Sequence, residues 1–181
     1  MSHQDQATLA VPVTKADHID GDDRASVTLV EYGDYQCPYC GQAYPMIKAI
    51  QREMRHRLRF VFRNFPLNNA HPFAEVAAEA AEAAGAQGKF WEMHDLLYEN
   101  QASLGQELFV QAATKLGLDP QRFVDDIKTR KYRDHVHKDF MGGVRSGVNG
   151  TPCFFINDTR FDGSWASDEL ASALARASPA P

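Results

Sequence analysis

The chain has 181 residues, of which 44% are hydrophobic and 24% are charged, and its formal net charge is −5 at pH 7. This length can bury one sizeable core, and the composition is typical of a soluble globular protein. The acidic balance excludes the basic surface of a nucleic-acid-binding protein, and no run approaches the ~20 apolar residues of a membrane-spanning helix. We therefore expect one domain, with neither nucleic-acid binding nor membrane insertion.

The two ends of the chain have the composition of flexible segments. Residues 1–15 are polar and mixed, and residues 176–181 contain mainly Ala, Ser and Pro, so we predict a flexible N-terminus and a flexible tail. The N-terminal segment lacks the cationic start and the apolar core of a secretory signal. We expect a cytoplasmic protein, or a periplasmic or secreted one if a signal peptide has been removed.

Residues 16–66 are predicted to form a βαβ unit. Val27–Tyr32 is β-branched and apolar, as in a buried strand, and a helix is predicted over about residues 37–57. Pro45 lies inside this helix and is expected to kink it, because proline lacks the N–H that bonds the preceding turn. A second apolar strand, Leu58–Phe65, follows. A strand, a helix and a strand in this order make a right-handed crossover.

Residues 67–147 are predicted to be helical throughout. The helical periodicity is interrupted only by short turns, and Asp119-Pro120 has the pattern of an N-cap followed by proline in the first turn. The predicted segments begin at His71, Lys89, Gln106, Asp119 and Tyr132. We interpret this part as a helical insertion that ends in a helix connecting to the second half of the domain.

Residues 148–175 return to a strand pattern. Pro152–Ile156 is a predicted strand, followed by a turn and by a short edge strand that starts at Arg160. Ser167 is predicted to cap the last helix. The fold class is therefore α/β, with the order β-α-β, a helical block, and β-β-α.

The chemistry of the chain is indicated by Cys37-Pro38-Tyr39-Cys40, at a predicted junction between a strand and a helix. Two cysteines in a first helical turn are close enough for a disulfide. The helix dipole favours a thiolate at the helix start, so Cys37 is the predicted nucleophile. Cys40, one turn further in, is the predicted resolving thiol, which attacks the mixed disulfide.

Further residues resemble the thioredoxin superfamily, and most closely its DsbA-like branch of the thioredoxin-4 type. The resemblance rests on Pro45 after the dithiol, on Gly150-Thr151-Pro152, on Glu31 six residues before Cys37, and on the helical block. It implies a thioredoxin fold with an inserted all-helical block. This group is bacterial and includes both single domains and cytosolic extensions of transporters.

The resemblance also implies roles for individual residues. Thr151 and Pro152, held as a cis peptide in the family, would shape a substrate groove beside Cys37. Glu31 would be a buried carboxylate that accepts a proton from Cys40. Tyr39 stands where DsbA has a histidine, which predicts a less extreme thiolate and a weaker oxidant.

Other candidate residues leave alternatives open. Cys153 follows Pro152 and is expected near the dithiol, either as a small core residue or as a third redox-active thiol. A zinc site at the cysteines lacks enough additional ligands at suitable spacing, and His135 and His137 are two residues apart and do not share a helix face. Asp34 is expected to be an exposed loop acid. We expect no metal and no organic cofactor.

The sequence therefore predicts a thiol–disulfide oxidoreductase that exchanges the Cys37–Cys40 dithiol with protein or small thiol substrates. Glutathione or a thioredoxin-type protein are candidate partners. One alternative is a redox-switched module that binds a peptide or a partner protein. Another is a kappa-type glutathione-dependent transferase or isomerase, which has no need of Cys40. The physiological substrate, the direction of exchange and the oligomeric state are left open.

Overall fold

The computed structural model describes residues 6–178. A sheet in the order β1-β3-β2-β4-β5 forms its centre. Strands β2 and β3 are parallel, and the other neighbouring pairs are antiparallel. In chain order the strands are β1 (His18–Gly21), β2 (Val27–Gly33), β3 (Leu58–Asn64), β4 (Cys153–Ile156) and β5 (Thr159–Phe161).

Helix α1 connects the two parallel strands, and α2 to α6 form the helical block between β3 and β4. The helices are α1 (Pro38–Met54), α2 (Ala74–Gly85), α3 (Phe90–Glu99), α4 (Gln106–Lys115), α5 (Pro120–Lys128), α6 (Arg133–Arg145) and α7 (Glu169–Ala177). Short 3₁₀ turns cover Arg55–Arg57 and Gln101–Ser103. This order confirms the predicted α/β fold with a helical block between its two halves.

The sheet separates two apolar clusters, because successive side chains of a strand point to opposite faces. Leu29 and Phe62 lie in the larger cluster, which also contains side chains from α1 to α7 and both cysteines of the dithiol. Val30 and Phe155 lie in the smaller cluster, against which Phe140 of α6 packs. The dithiol therefore lies on the face that most of the helices cover.

Strand β1 was not apparent in the sequence pattern. It has only four residues, HIDG, and none of them is fully buried. Its backbone pairs antiparallel with β3, with His18 opposite Phe62. A strand this short and polar at the edge of a sheet carries no alternation that distinguishes it from a loop.

The described part of the predicted flexible N-terminus packs against the domain. The Leu9 amide donates to the Asp158 carbonyl at 2.8 Å, and the Arg160 amide donates to the Ala7 carbonyl at 2.9 Å. The guanidinium of Arg63 donates to the carbonyl of Val11 at 2.8 Å. Residues 1–5 and 179–181 lie outside the described residues, and helix α7 extends to residue 177, inside the predicted tail.

Helix α1 continues across Pro45 as one element. The last helix begins at Glu169 with Asp168 as its N-cap, and the Ser167 hydroxyl accepts from the Glu169 amide at 3.4 Å, in line with the predicted capping role of Ser167. The Asp119 cap of α5 is confirmed, since its side chain accepts from the Arg122 amide at 3.0 Å.

Candidate active site

Cys37 lies where the chain leaves β2 and enters α1. It is the N-cap residue of the helix, with φ −68° and ψ 122°, and Pro38 occupies the first turn. Proline suits this position because its missing N–H has no partner within the helix there. The thiol of Cys37 is therefore held at the positive end of the helix dipole, where a thiolate is stabilised.

The pKa of Cys37 is lowered to about 5. The hydrogen bond from the Cys40 thiol is the largest cause, and burial opposes it. The Thr151 hydroxyl and the backbone N–H groups of Cys40 and Tyr39 also lower this pKa. Cys37 Sγ lies 3.4 Å from the Thr151 carbonyl oxygen, to which the neutral thiol donates. A thiolate is thus the predominant form of Cys37 at neutral pH.

Cys40 has the opposite electrostatic environment. Its side chain is completely buried in the larger apolar cluster. Burial raises the pKa of the Cys40 thiol well above its ordinary value, and the hydrogen bond to Cys37 and the nearby Glu31 carboxylate act in the same direction. The two thiols of one helical turn therefore differ strongly in acidity.

Glu31 lies on β2, in the middle of the sheet, between Phe62 of β3 and Phe154 of β4. Only 3% of its surface is exposed. Burial raises the pKa of Glu31 to about 8, and the negative charge of Cys37 adds to this shift. The carboxyl group is thus predominantly protonated at neutral pH. It lies close enough to Cys37 for the thiolate charge to raise its pKa.

Thr151 and Pro152 approach Cys37 from the loop that precedes β4. The peptide bond between them is cis. The Thr151 hydroxyl oxygen is buried and has no hydrogen-bond partner among residues 6–178. It is therefore free to donate to the Cys37 thiolate. The geometry brings these residues and Cys37 together, as the sequence predicts.

Asp34 is not an exposed loop acid, and that prediction is wrong. The residue is 1% exposed. Its Oδ1 accepts from the amides of Gln36 at 2.7 Å and Cys37 at 3.2 Å. Its Oδ2 accepts from the Leu67 amide at 2.9 Å and lies 2.7 Å from His71 Nδ1. Asp34 therefore fixes the loop before α1 to the start of the helical block.

Gln101 also holds the cysteine segment, although it is distant in sequence. Its side-chain amide donates to the carbonyls of Tyr35 at 2.9 Å and Cys37 at 2.8 Å. A Cβ atom added at Gly41 would lie only 2.3 Å from Gln101 Oε1. Glycine at this position thus allows the 3₁₀ turn that carries Gln101 to approach α1. No local sequence signal marks Gln101, because it acts through a contact across the fold.

Tyr98 places a buried hydroxyl near the dithiol. This oxygen has no hydrogen-bond partner among the described residues. The Tyr98 hydroxyl would lie 3.0 Å from a Cβ atom at Gly33, so it reaches the end of β2. Burial raises the pKa of Tyr98, and the charges of Cys40 and Glu31 add to this shift.

Cys153 packs on the face of the sheet opposite to the one that holds the dithiol. It is 7% exposed and packs in the smaller cluster with Tyr32 and Phe155. The next residue, Phe154, points to the face of the dithiol. Burial raises the pKa of the Cys153 thiol. These features favour the interpretation of Cys153 as a packed core residue.

The dithiol stands at the start of a long helix beside a mixed sheet, and Thr151-Pro152 faces it. A helical block lies between the two halves of the fold. Together these features define a DsbA-like protein of the thioredoxin superfamily. The family model Thioredoxin_4, described as Thioredoxin, matches residues 13–176. The chain belongs to this family.

Two solved structures are similar over nearly the whole chain. Oxidised BdbD from Bacillus subtilis is 25% identical, with a TM-score of 0.82, and the match covers 95% of this chain and 98% of that chain. A thioredoxin-like oxidoreductase from Silicibacter pomeroyi DSS-3 is 27% identical, with a TM-score of 0.76, and the match covers 91% and 93%. These similarities extend to the helical block.

A similar sequence occurs inside a longer protein. The chain is 45% identical over 170 residues to "Na(+)/H(+) antiporter NhaA 1" of Salinispora arenicola, which covers 93% of this chain and 26% of that protein. The chain thus spans about a quarter of the length of the curated relatives it matches. Among residues 6–178, no helix has both the length and the apolar character that crossing a membrane requires.

Proposed function

We propose that the protein is a thiol–disulfide oxidoreductase in which Cys37 is the nucleophile and Cys40 the resolving thiol. The observation that carries this proposal is the separation of the two thiols in acidity. The pKa of Cys37 is lowered to about 5, whereas burial raises the pKa of Cys40 well above its ordinary value. Only the thiolate attacks a disulfide, so the first attack belongs to Cys37.

In the reductive direction, the Cys37 thiolate attacks one sulfur of a substrate disulfide. A Cys37–substrate disulfide forms, and the other substrate sulfur leaves as a thiolate. Cys40 then loses its proton and attacks the Cys37 sulfur, which releases the second substrate thiolate and leaves the Cys37–Cys40 disulfide. The electron pair comes from the dithiol, so each cycle needs a reducing dithiol to restore it. Oxidation of a substrate is the same sequence in reverse.

Glu31 is the proposed acceptor of the Cys40 proton. Its pKa of about 8 lets it exchange a proton near neutral pH, and the raised pKa of Cys40 makes an acceptor necessary. Formation of the mixed disulfide removes the charge of Cys37, the second cause of the raised pKa of Glu31. The carboxylate therefore becomes easier to form at the step in which a base is needed.

The proposed substrates are extended segments of proteins or peptides that bind beside Thr151. A surface depression of about 330 Å³ at the loop before β4 is lined by Thr151, Pro152, Phe161 and Trp165. Tyr39, between the two cysteines, is 61% exposed and available for contact with a partner. Glutathione or a thioredoxin-type protein is the proposed partner that resets the dithiol.

We propose a reduction potential between those of thioredoxin and DsbA. The pKa of Cys37, about 5, lies between the values of roughly 7 and 3.5 for the nucleophilic cysteines of those proteins. A more stable thiolate makes the reduced form more stable and the disulfide more oxidising. In the cytosol, such a potential supports reduction or redox sensing. In the periplasm, it supports oxidation or isomerisation. A potential near −120 mV, that of DsbA, would contradict this proposal.

Insulin reduction with dithiothreitol tests the activity. The parent protein is expected to accelerate it, the Cys37→Ser variant to be inactive, and the Cys40→Ser variant to accumulate a mixed disulfide. Cys153→Thr is the matched control and is expected to retain full activity. A Cys40→Ser variant with unchanged turnover would instead indicate a one-thiol reaction of the kappa-type glutathione-dependent kind.

A second candidate function is a redox-switched module within a larger protein. It is favoured by the 45% identical segment in a relative that is named an antiporter. Binding of a partner that changes between the dithiol and disulfide forms, without turnover of insulin, would support this function over catalysis.

A further inference from the structure

A second group of chemically active side chains lies where β1, α2 and α6 meet. The potential ligand atoms of His18, Glu82 and His135 all lie within 4.8 Å of one another. His18 Nε2 is 2.8 Å from one carboxylate oxygen of Glu82, and His135 Nε2 is 3.6 Å from the other. None of these residues contributes to the dithiol, and the proposed redox cycle does not use them.

Asp139 and Asn64 extend the group on the side of β3. His135 and Asp139 are one helical turn apart, with His135 Nε2 3.8 Å from Asp139 Oδ2. The side-chain amide of Asn64 donates to Glu82 Oε1 at 2.7 Å and to Asp139 Oδ2 at 3.1 Å. The other amide atom, Asn64 Oδ1, is buried and has no partner in residues 6–178.

The group holds two carboxylates in a buried setting without a fixed positive charge. Glu82 is 5% exposed, and the side chain of Asp139 is 14% exposed. Within residues 6–178, the cationic side chains within salt-bridge distance of these carboxylates are the imidazoles of His18 and His135. Buried carboxylates are costly without a paired or coordinated cation.

We propose that His18, Glu82 and His135 bind one divalent transition-metal ion of the zinc class, with Asp139 as a fourth ligand or as a positioning group. Two imidazoles and a carboxylate are a zinc-type ligand set, whereas calcium and magnesium take oxygen ligands. Tetrahedral zinc places its ligand atoms roughly 3.3 Å apart. With one ligand atom from each residue, the three atoms lie within 4.8 Å of one another, so modest side-chain rotations would bring them to this spacing.

The ion would join β1, α2 and α6. β1 is a four-residue edge strand, and its His18 ring already stacks on Phe90 of α3 with ring centroids 3.4 Å apart. Ligation by Glu82 and His135 would tie this strand to α2 and α6. The expected role is to stabilise the contact between the sheet edge and the helical block.

The test uses the untagged protein in its disulfide form, because free thiolates at Cys37 and Cys40 would also bind zinc. Isothermal titration calorimetry with Zn²⁺ is expected to give one site per chain, and Ca²⁺ is expected not to compete. His135→Ala should weaken zinc binding at least tenfold, as should Glu82→Gln. Asp139→Asn should weaken it by about 10–100-fold if Asp139 acts as a positioning group. His137→Ala, an exposed histidine on the same helix, is the matched control and should bind zinc like the parent.

Two further measurements separate this site from the thiols and from loss of folding. Zn²⁺ should raise the Tm of the disulfide form of the parent and of His137→Ala, but not that of His135→Ala. The Co²⁺ complex should show d–d bands without thiolate charge transfer. The proposal is overturned if the disulfide form does not bind zinc, if folded His135→Ala binds it as tightly as the parent, or if cobalt reports sulfur ligation.

Discussion

Replacement of Glu31 by glutamine tests the electrostatics of the site directly. Glutamine has nearly the same volume but cannot ionise. The pKa of Glu31 is raised from its ordinary 4.5 to about 8 in the folded protein, with burial as the main cause. The folded protein therefore binds a proton that the unfolded chain releases. Between these two pH values, the stability of the parent falls as pH rises, with a slope of about 1.4 kcal/mol per pH unit.

This shift sets the size of the effect. Between the ordinary pKa of 4.5 and pH 7, the parent loses about 3 kcal/mol of stability through Glu31 alone. Glu31→Gln avoids this loss. We expect its advantage to be small below the ordinary pKa, to grow with pH, and to level off above about pH 8. The advantage should be smaller in the disulfide form, because the charge of Cys37 is then absent.

Urea denaturation of the reduced proteins at a series of pH values measures this difference. Glu53→Gln, an exposed glutamate on α1, is the matched control and should follow the parent at every pH. Parallel stability curves for the parent and Glu31→Gln would refute the raised pKa of Glu31. The proposal that Glu31 accepts the Cys40 proton would then lose its basis.

The same variant separates a proton acceptor from a residue that only supports the fold. Decay of the mixed disulfide should be slowed in Glu31→Gln by up to about a hundredfold, the lower part of the range for a positioned general base. The parent rate should rise with pH and level off below about pH 8, because the mixed disulfide lacks the Cys37 charge that helps to raise the pKa of Glu31, and the variant should lose this dependence. Attack by Cys37 on the substrate should be much less affected.

Three further substitutions test other parts of the site. Asp34→Asn should lower the free energy of unfolding by roughly 2–4 kcal/mol in urea titrations, because its amide would set a donor against the N–H of Leu67 and lose the charge beside His71; an unchanged midpoint would contradict this role. Tyr98→Phe removes a buried hydroxyl without a partner among the described residues, and thermal unfolding should show it as stable as the parent or about 1 kcal/mol more stable. A clear loss would mean that the hydroxyl is bonded. Cys153→Thr should leave the reduction potential unchanged, and a shifted potential would restore Cys153 as a redox-active thiol.

The centre of the site could be predicted from sequence because its signals are local. Cys37 and Cys40 stand between an apolar strand and a helical pattern, and Pro38 in the first turn marks where the helix starts. The burial of Glu31 follows from the apolar residues on both sides of it in β2. These features depend on strand period, helix capping and the helix dipole, which act over a few residues.

The rest of the site could not be predicted because it depends on contacts between distant segments. Asp34 stands in a segment that the sequence marks as a loop, where an acid is usually exposed. It is a buried hydrogen-bond acceptor because the fold places Leu67 and His71 beside it. Cys153 is adjacent to Pro152 in sequence, but the alternation along β4 directs its side chain away from the dithiol. Adjacency in the sequence does not show on which face of the sheet a side chain lies, because that face depends on the residue at which the strand begins.

The helical block is part of the active site and not an accessory to it. The backbone of the cysteine segment is held by Asp34, which bonds to Leu67 and His71 at the start of the block, and by Gln101, which bonds to the carbonyl of Cys37 from a turn within it. The low pKa of Cys37 depends first on the hydrogen bond from the Cys40 thiol, and then on the Thr151 hydroxyl and the backbone N–H groups of Cys40 and Tyr39 at the start of α1. A displacement of the block would therefore move the N-cap and weaken the thiolate. The acidity of Cys37 therefore depends on contacts outside the helix that carries it, through Asp34 and Gln101.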